Sequence, residues 1–142
     1  MDKQKIDWKE CCGKRIAKSV TPDIDTIESL KKSSENKIKS SDELGMNETT
    51  SVSKFILAYD SLREVLEALS LKNGYKIYNH ECYTAFLKEV LNQSNLGDEF
   101  DEIRKVRNSV NYYGKELSIE DSLDIILKTK KLRGQILDIF KN

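Results

Sequence analysis

Two arginines and two asparagines, Arg104, Arg107, Asn108 and Asn111, run closely spaced into Tyr112-Tyr113-Gly114. A guanidinium is permanently charged and presents a planar fork that matches phosphate or carboxylate oxygens, and amide side chains add neutral donors and acceptors beside it. At roughly 100° per residue, Phe100, Ile103, Val106, Val110 and Tyr113 form one apolar stripe, and Arg107 lies on its shoulder. Arg104 and Asn111 are the i−3 and i+4 neighbours of Arg107, and Asn108 is one step further round. Such a ridge becomes a phosphate cleft when a second helix or subunit walls it off. A plainer reading uses the same residues. Arginines near a helix C-terminus complement its dipole, and one at a bundle seam pairs with a carboxylate. On residue type alone the plainer reading weighs more.

His80 is the only histidine, so any imidazole mechanism must use it. It follows Asn79, which reads as an N-cap, and a neutral ring or a hydrogen bond to nearby backbone explains it without catalysis. Tyr59 and Arg63, at i and i+4 between Asp60 and Glu64, are expected to bridge to another helix, with Arg63 on a carboxylate. Gly74-Tyr75-Lys76-Ile77-Tyr78 could offer aromatic and basic groups to a nucleotide, but reads more simply as a helix–helix turn whose tyrosines cover the bundle end. Glycine-rich phosphate loops and the H-E-x-x-H, G-x-S-x-G and paired-cysteine motifs are absent. No cofactor and no metal site are therefore expected.

The elements that must position these groups are helical. The chain of 142 residues has the size of one domain, with 38% hydrophobic and 34% charged residues, one proline and six glycines. Basic and acidic side chains balance at 24 each, so polyanion binding would need a local patch. The opening MDKQKIDWKE is too polar for a signal peptide, and no apolar run reaches the roughly 20 residues of a membrane span. Cys11, Cys12 and Cys82 fit neither a secreted disulfide framework nor zinc spacing, which leads us to expect a reducing cytoplasm and a Cys11-Cys12 pair packed beside Trp8.

Residues 1–20 form an entry segment, with a short helix over 4–19 burying Trp8, Cys12 and Ile16; residues 22–142 form the bundle. Thr21-Pro22 starts a helix over 22–44 whose Ser33, Ser34, Ser40 and Ser41 mark it as peripheral. Val52, Phe55, Ile56, Tyr59, Leu62, Leu66 and Leu69 predict a central helix over 50–72 that ends at Asn73-Gly74. Further helices are expected over 80–92, 98–113 and from the Ser118 capping box to the C-terminus. No segment alternates with period two. The fold expected is all-α, an up-and-down antiparallel bundle of four to five helices in a single domain.

IRKVRNSVNYYGKELS, together with AYDSLREVLEALSLKNGYKIYNHECYTAFLKEVL over 58–91 and the entry from Trp8 to Pro22, resembles the HEPN superfamily of helical domains from prokaryotic defence and toxin–antitoxin systems. The likeness covers most of the chain, although each motif is short. It implies a cleft at a homodimer interface, binding of RNA or a nucleotide, and a possible nucleotidyltransferase-type protein partner. Many members carry Arg, often followed by Asn, and then His after four to six residues, and cleave RNA without metal. Arg107-Asn108 matches the first half of that signature. Tyr112, Tyr113 and Gly114 stand where the His should be, and an unperturbed tyrosine titrates too high to replace it as a base. The expectation is a degenerate site that binds rather than cuts, with Arg107, Asn108 and Tyr112 as the catalytic positions and Arg104, Asn111 and Tyr113 as binding positions. The alternatives are an endoribonuclease using Arg107 with Tyr112 or Asn111, and a purely structural bundle.

Overall fold

Asp23 accepts hydrogen bonds from the backbone of Asp25 and Thr26 and opens a helix whose buried side chains include two serines, and this local event sets the plan of the fold. In a computed structural model that describes residues 5–113 and 116–141, six α-helices carry the chain: α1 (Trp8–Gly13), α2 (Ile24–Glu43), α3 (Ser51–Lys72), α4 (His80–Ala85), α5 (Ser94–Tyr113) and α6 (Ile119–Phe140). A π-helical turn, Phe86–Val90, extends α4. The structure is an all-α bundle. The side chains of Asn111, Tyr112 and Tyr113, and all of Gly114, lie outside the described residues.

α3 is the central helix, as its periodicity predicts. Phe55, Tyr59, Leu62, Leu66 and Leu69 are at most 1% exposed. It ends at Asn73, and Gly74 follows with φ 86°, a left-handed conformation in which a Cβ would be strained. α2 runs antiparallel beside it, largely exposed as expected and buried along one narrow face. Ser34, Ser41 and Ser61 are fully buried at the α2–α3 seam because small side chains let the two backbones approach closely. Each hydroxyl is satisfied there: Ser34 Oγ donates to the Ser61 carbonyl at 2.7 Å, Ser61 Oγ to the Ser34 carbonyl at 2.8 Å, and Ser41 Oγ to the Lys54 carbonyl at 2.8 Å. Lys54 is buried and donates to the carbonyls of Ser41 and Leu44, closing the C-terminal end of α2.

α6 runs antiparallel to α2, with Lys130 on Asp42 and Arg133 on Glu35, and therefore parallel to α3. Ser118 caps it by accepting from Asp121 N at 3.0 Å. α4 and α5 are antiparallel, joined by Lys88–Asp98 and by Thr84 facing Asp101. α5 starts four residues before the expected 98, because a sharp reversal at Asn92, φ 55°, lets Ser94 to Gly97 wind into its first turn.

The entry segment departs most from expectation. Arg15 adopts φ 58°, which stops α1 at Gly13 and releases an extended strand β1 (Ala17–Ser19). It pairs antiparallel with β2 (Tyr75–Ile77), Ala17 opposite Ile77, so the Gly74–Tyr78 segment is a strand rather than a helix–helix turn. Three-residue strands give too few alternations to register as period two. Cys11, not Cys12, is buried, and it forms a disulfide with Cys82 across Cα atoms 6.1 Å apart; Cys12 is exposed. The expectation of no disulfide is thereby corrected, and with it goes the cysteine argument for a reducing compartment. Among the described residues, no helix is long and apolar enough to cross a membrane.

Candidate functional site

α3 places Tyr59 on its inward face, α4 begins at His80, and the middle of α5 crosses both. Asn79 is the expected N-cap, accepting from Glu81 N at 2.7 Å, and this fixes the first turn that carries His80. His80 Nδ1 lies 2.9 Å from the Tyr59 hydroxyl, with ring centroids 5.8 Å apart. The imidazole is thus held by a side chain of the core helix, not by nearby backbone. Burial first, and then the positive charge of Arg63, push its pKa below the ordinary value, with Arg107 and Arg104 adding in the same direction and Asp60 opposing. Burial also raises the Tyr59 pKa, so the phenol stays protonated and can donate to Nδ1, leaving Nε2 for other partners.

His80, Asn79 and Glu81 line one wall of a cleft of about 330 Å³, and Arg104 and Asn108 line the other. The structure therefore joins the sole histidine to two residues of the arginine–asparagine strip. Arg107 stands behind this wall with its guanidinium carbon 5.9 Å from the centroid of the Tyr59 ring. Its Nε and Nη1 are buried without a hydrogen-bond partner among the described residues. A structural seam would show a carboxylate on those atoms, since an unpaired buried charge is costly. Phe100 and Ile103 of the predicted stripe are buried, and Val106 and Val110 are half-buried.

Arg104 is differently placed. Its Nη2 and Nε donate to Asp101 Oδ1 at 2.7 and 3.2 Å. Asp101 is 3% exposed and also meets Lys5 and Lys105 at 3.2 Å each. Burial alone would raise its pKa, but the bonds to Arg104 and Lys5 and the charge of Arg104 outweigh it and hold Asp101 at about 2. Arg104 therefore reaches the cleft as one member of an ionised network, with part of its donor capacity used. Arg63 pairs with a carboxylate on its own helix, Glu67 at 3.1 Å, while its side chain also meets Tyr83 of α4, and Lys76 of β2 reaches Glu67 at 3.6 Å.

A larger hollow, about 910 Å³, is elsewhere, between the N-terminal ends of α3 and α6, where Glu48, Thr49, Val52 and Glu116 line it. Among the described residues it offers carboxylates and hydroxyls but no cation, so the smaller cleft is the better match to an anion. Among the described residues no cluster of His, Cys, Asp and Glu is arranged to hold a metal ion. No protein-family model, no curated protein and no solved structure matches this chain. The functional reading rests on the site itself.

The meeting of His80 with Tyr59 and Arg104 was hidden in the sequence because the three are distant along the chain and come together only through the packing of α3, α4 and α5. One signal was available. Asn79-His80-Glu81 is a helix start, and helix starts project from the ends of bundles, where clefts form.

Proposed function

We propose that the protein is a HEPN-like module that binds RNA or a nucleotide through the cleft between α4 and α5, with Arg107 and Asn108 as its phosphate-binding pair. Arg107 is half-buried behind the cleft wall with its Nε and Nη1 meeting no hydrogen-bond partner among the described residues, and this supports the reading: a phosphate oxygen would satisfy one of these donors by a charge-assisted hydrogen bond. His80 and Asn108 add hydrogen-bonding groups at the cleft wall, and Arg104 adds positive charge. A degenerate site within a toxin–antitoxin or defence system, with a nucleotidyltransferase-type partner, suits the residues that resemble that superfamily.

A second reading, a metal-independent endoribonuclease, gains from one observation. His80 lines the cleft beside Arg104 and Asn108, and its hydrogen bond to Tyr59 holds the ring in place, so it would take the part of the histidine that the window 112–114 lacks. Here Arg107 would stabilise the charged transition state and His80 would move the proton.

Both readings are tested by a fluorescent single-stranded RNA oligomer mixed in chelator with wild type, Arg107→Ala, Arg107→Lys and His80→Ala. Anisotropy should show binding by wild type, a loss of about tenfold to a hundredfold in Arg107→Ala for a charge-assisted pair, and little rescue by lysine. Cleavage that disappears in both Arg107→Ala and His80→Ala selects the nuclease. Binding equal in wild type and Arg107→Ala removes the cleft from the account.

A further inference from the structure

The β1–β2 ribbon carries charge and an aromatic ring on the face turned away from the core. Ala17 and Ile77, paired across it, are buried. The adjoining pair, Lys18 opposite Lys76, projects from the other face, because side chains alternate along a strand. Tyr78, two residues beyond Lys76, follows on that face and is 57% exposed. Both ammonium groups stand over its ring, Lys18 Nζ at 5.6 Å and Lys76 Nζ at 5.7 Å from the centroid.

As a fold element alone this arrangement is unfavourable, since like charges directly opposite each other destabilise a ribbon. Lys76 is offset by Glu67 at 3.6 Å and Lys14 by Glu10 at 3.2 Å, whereas Arg15 and Lys18 form no ion pair among the described residues. Arg15 and Lys18 line an open hollow of about 460 Å³ beside the ribbon. An anion relieves the repulsion, and an accessible ring flanked by cations matches an unpaired base with its adjoining phosphates. A lipid surface would need an apolar patch around the ring, and lysines flank it instead. The ribbon also leads into the cleft: Tyr78 N donates to the Ile16 carbonyl at 2.8 Å, and the next two residues, Asn79 and His80, line the cleft wall. Two residues span at most about 7 Å, so one strand can lie across both places.

We propose that the outer face of the β1–β2 ribbon is a second binding site, separate from the cleft, in which Tyr78 stacks on an unpaired base of a single-stranded RNA and Lys18, Lys76 and Arg15 hold the flanking phosphates. The choice of RNA as occupant rests on the reading of the α4–α5 cleft given above, while the ring and its cations are independent of it. A lysine over an exposed ring is weakly held. A base therefore displaces it from the ring face, and the freed ammonium turns to a phosphate. The site selects single strands, because a duplex keeps its base faces stacked inside.

The test is anisotropy of the full chain with a fluorescent single-stranded RNA of about eight nucleotides, repeated over a range of salt concentrations. Tyr78→Ala should weaken binding about fivefold to a hundredfold with the salt slope unchanged, as for a lost stacking contact, and Tyr78→Phe should bind like wild type. Lys18→Ala should lower the slope of log affinity against log salt by about 0.7, the value for one phosphate on a single strand. Both side chains are exposed, so circular dichroism of the variants should match wild type. Tyr78→Ala binding as tightly as wild type, while Arg107→Ala has lost affinity, overturns the ribbon site and leaves the cleft standing. The reverse pattern supports the ribbon and removes the cleft. A wild type that binds phosphatidylserine vesicles and not the oligomer overturns the proposal, as does a Tyr78→Ala loss equally large on a duplex of the same sequence.

Discussion

Reduction of the Cys11–Cys82 bond is expected to lower the free energy of unfolding by about 2–4 kcal/mol, the usual range for removing a native crosslink. The bond joins residues 71 apart, and by chain entropy a loop of that length sets an upper bound of roughly 4 kcal/mol. It also fixes local geometry. α1 is only six residues long, too short to persist alone, and is secured by the bond, by Trp8 N donating to Glu89 at 2.7 Å, and by Trp8 against Tyr75 and Phe86. The bond holds α1 to α4, the helix that begins with His80. Denaturant unfolding with and without a thiol reductant should show the loss, Cys82→Ala should reproduce it, and Cys12→Ser should leave stability unchanged because Cys12 is exposed. A midpoint insensitive to reductant, with both sulfurs shown to be oxidised beforehand, would contradict the crosslink's role.

Ser34→Leu is expected to cost about 2–6 kcal/mol, combining roughly 1–3 from overpacking with a similar amount from lost hydrogen bonds. Ser34 is fully buried where α2 and α3 approach most closely, and its hydroxyl sits at a junction. It donates to the Ser61 carbonyl and accepts from Arg133 Nε at 3.0 Å, so leucine both displaces α3 and takes one partner from a largely buried guanidinium that keeps only Glu35 among the described residues. Ser34→Ala separates the two effects, because it keeps the size and loses only the hydrogen bonds, and should cost about 1–3 kcal/mol. Thermal melting of both variants provides the check, and a Ser34→Leu variant as stable as Ser34→Ala would show that the seam is looser than described.

The contrast between α3 and α2 shows what the sequence could and could not convey. α3 was legible because its large apolar residues recur at three and four, and hydrophobic periodicity reports burial directly. In α2 the buried positions include serines, which periodicity counts as polar, so its exposure was legible but the close seam it forms with α3 was not. The local signals at Asn79, Gly74 and Ser118 were read correctly because caps depend on neighbours within a few residues. Arg15 in the left-handed region, the β1–β2 pairing and the Cys11–Cys82 bond depend on partners far along the chain. At the site, the helical wheel correctly put Arg107 at the edge of the core. The ion pairs of Arg104 with Asp101 and the arrival of His80 beside it required the antiparallel packing of α4 on α5.

Because His80 is the only histidine, its ring proton gives a single NMR titration curve that reports on the cleft directly. Without ligand, burial and the nearby arginines predict a midpoint below the ordinary value of 6.5. The neutral ring is favoured in the fold, so stability gained from it is lost as pH falls through that lowered midpoint. A phosphate held by Arg107 and Asn108 brings negative charge to the imidazolium and should raise the midpoint by up to about one unit, and Arg107→Ala should abolish the rise. A His80 curve that stays in place under saturating RNA oligomer would contradict a phosphate-binding cleft between α4 and α5.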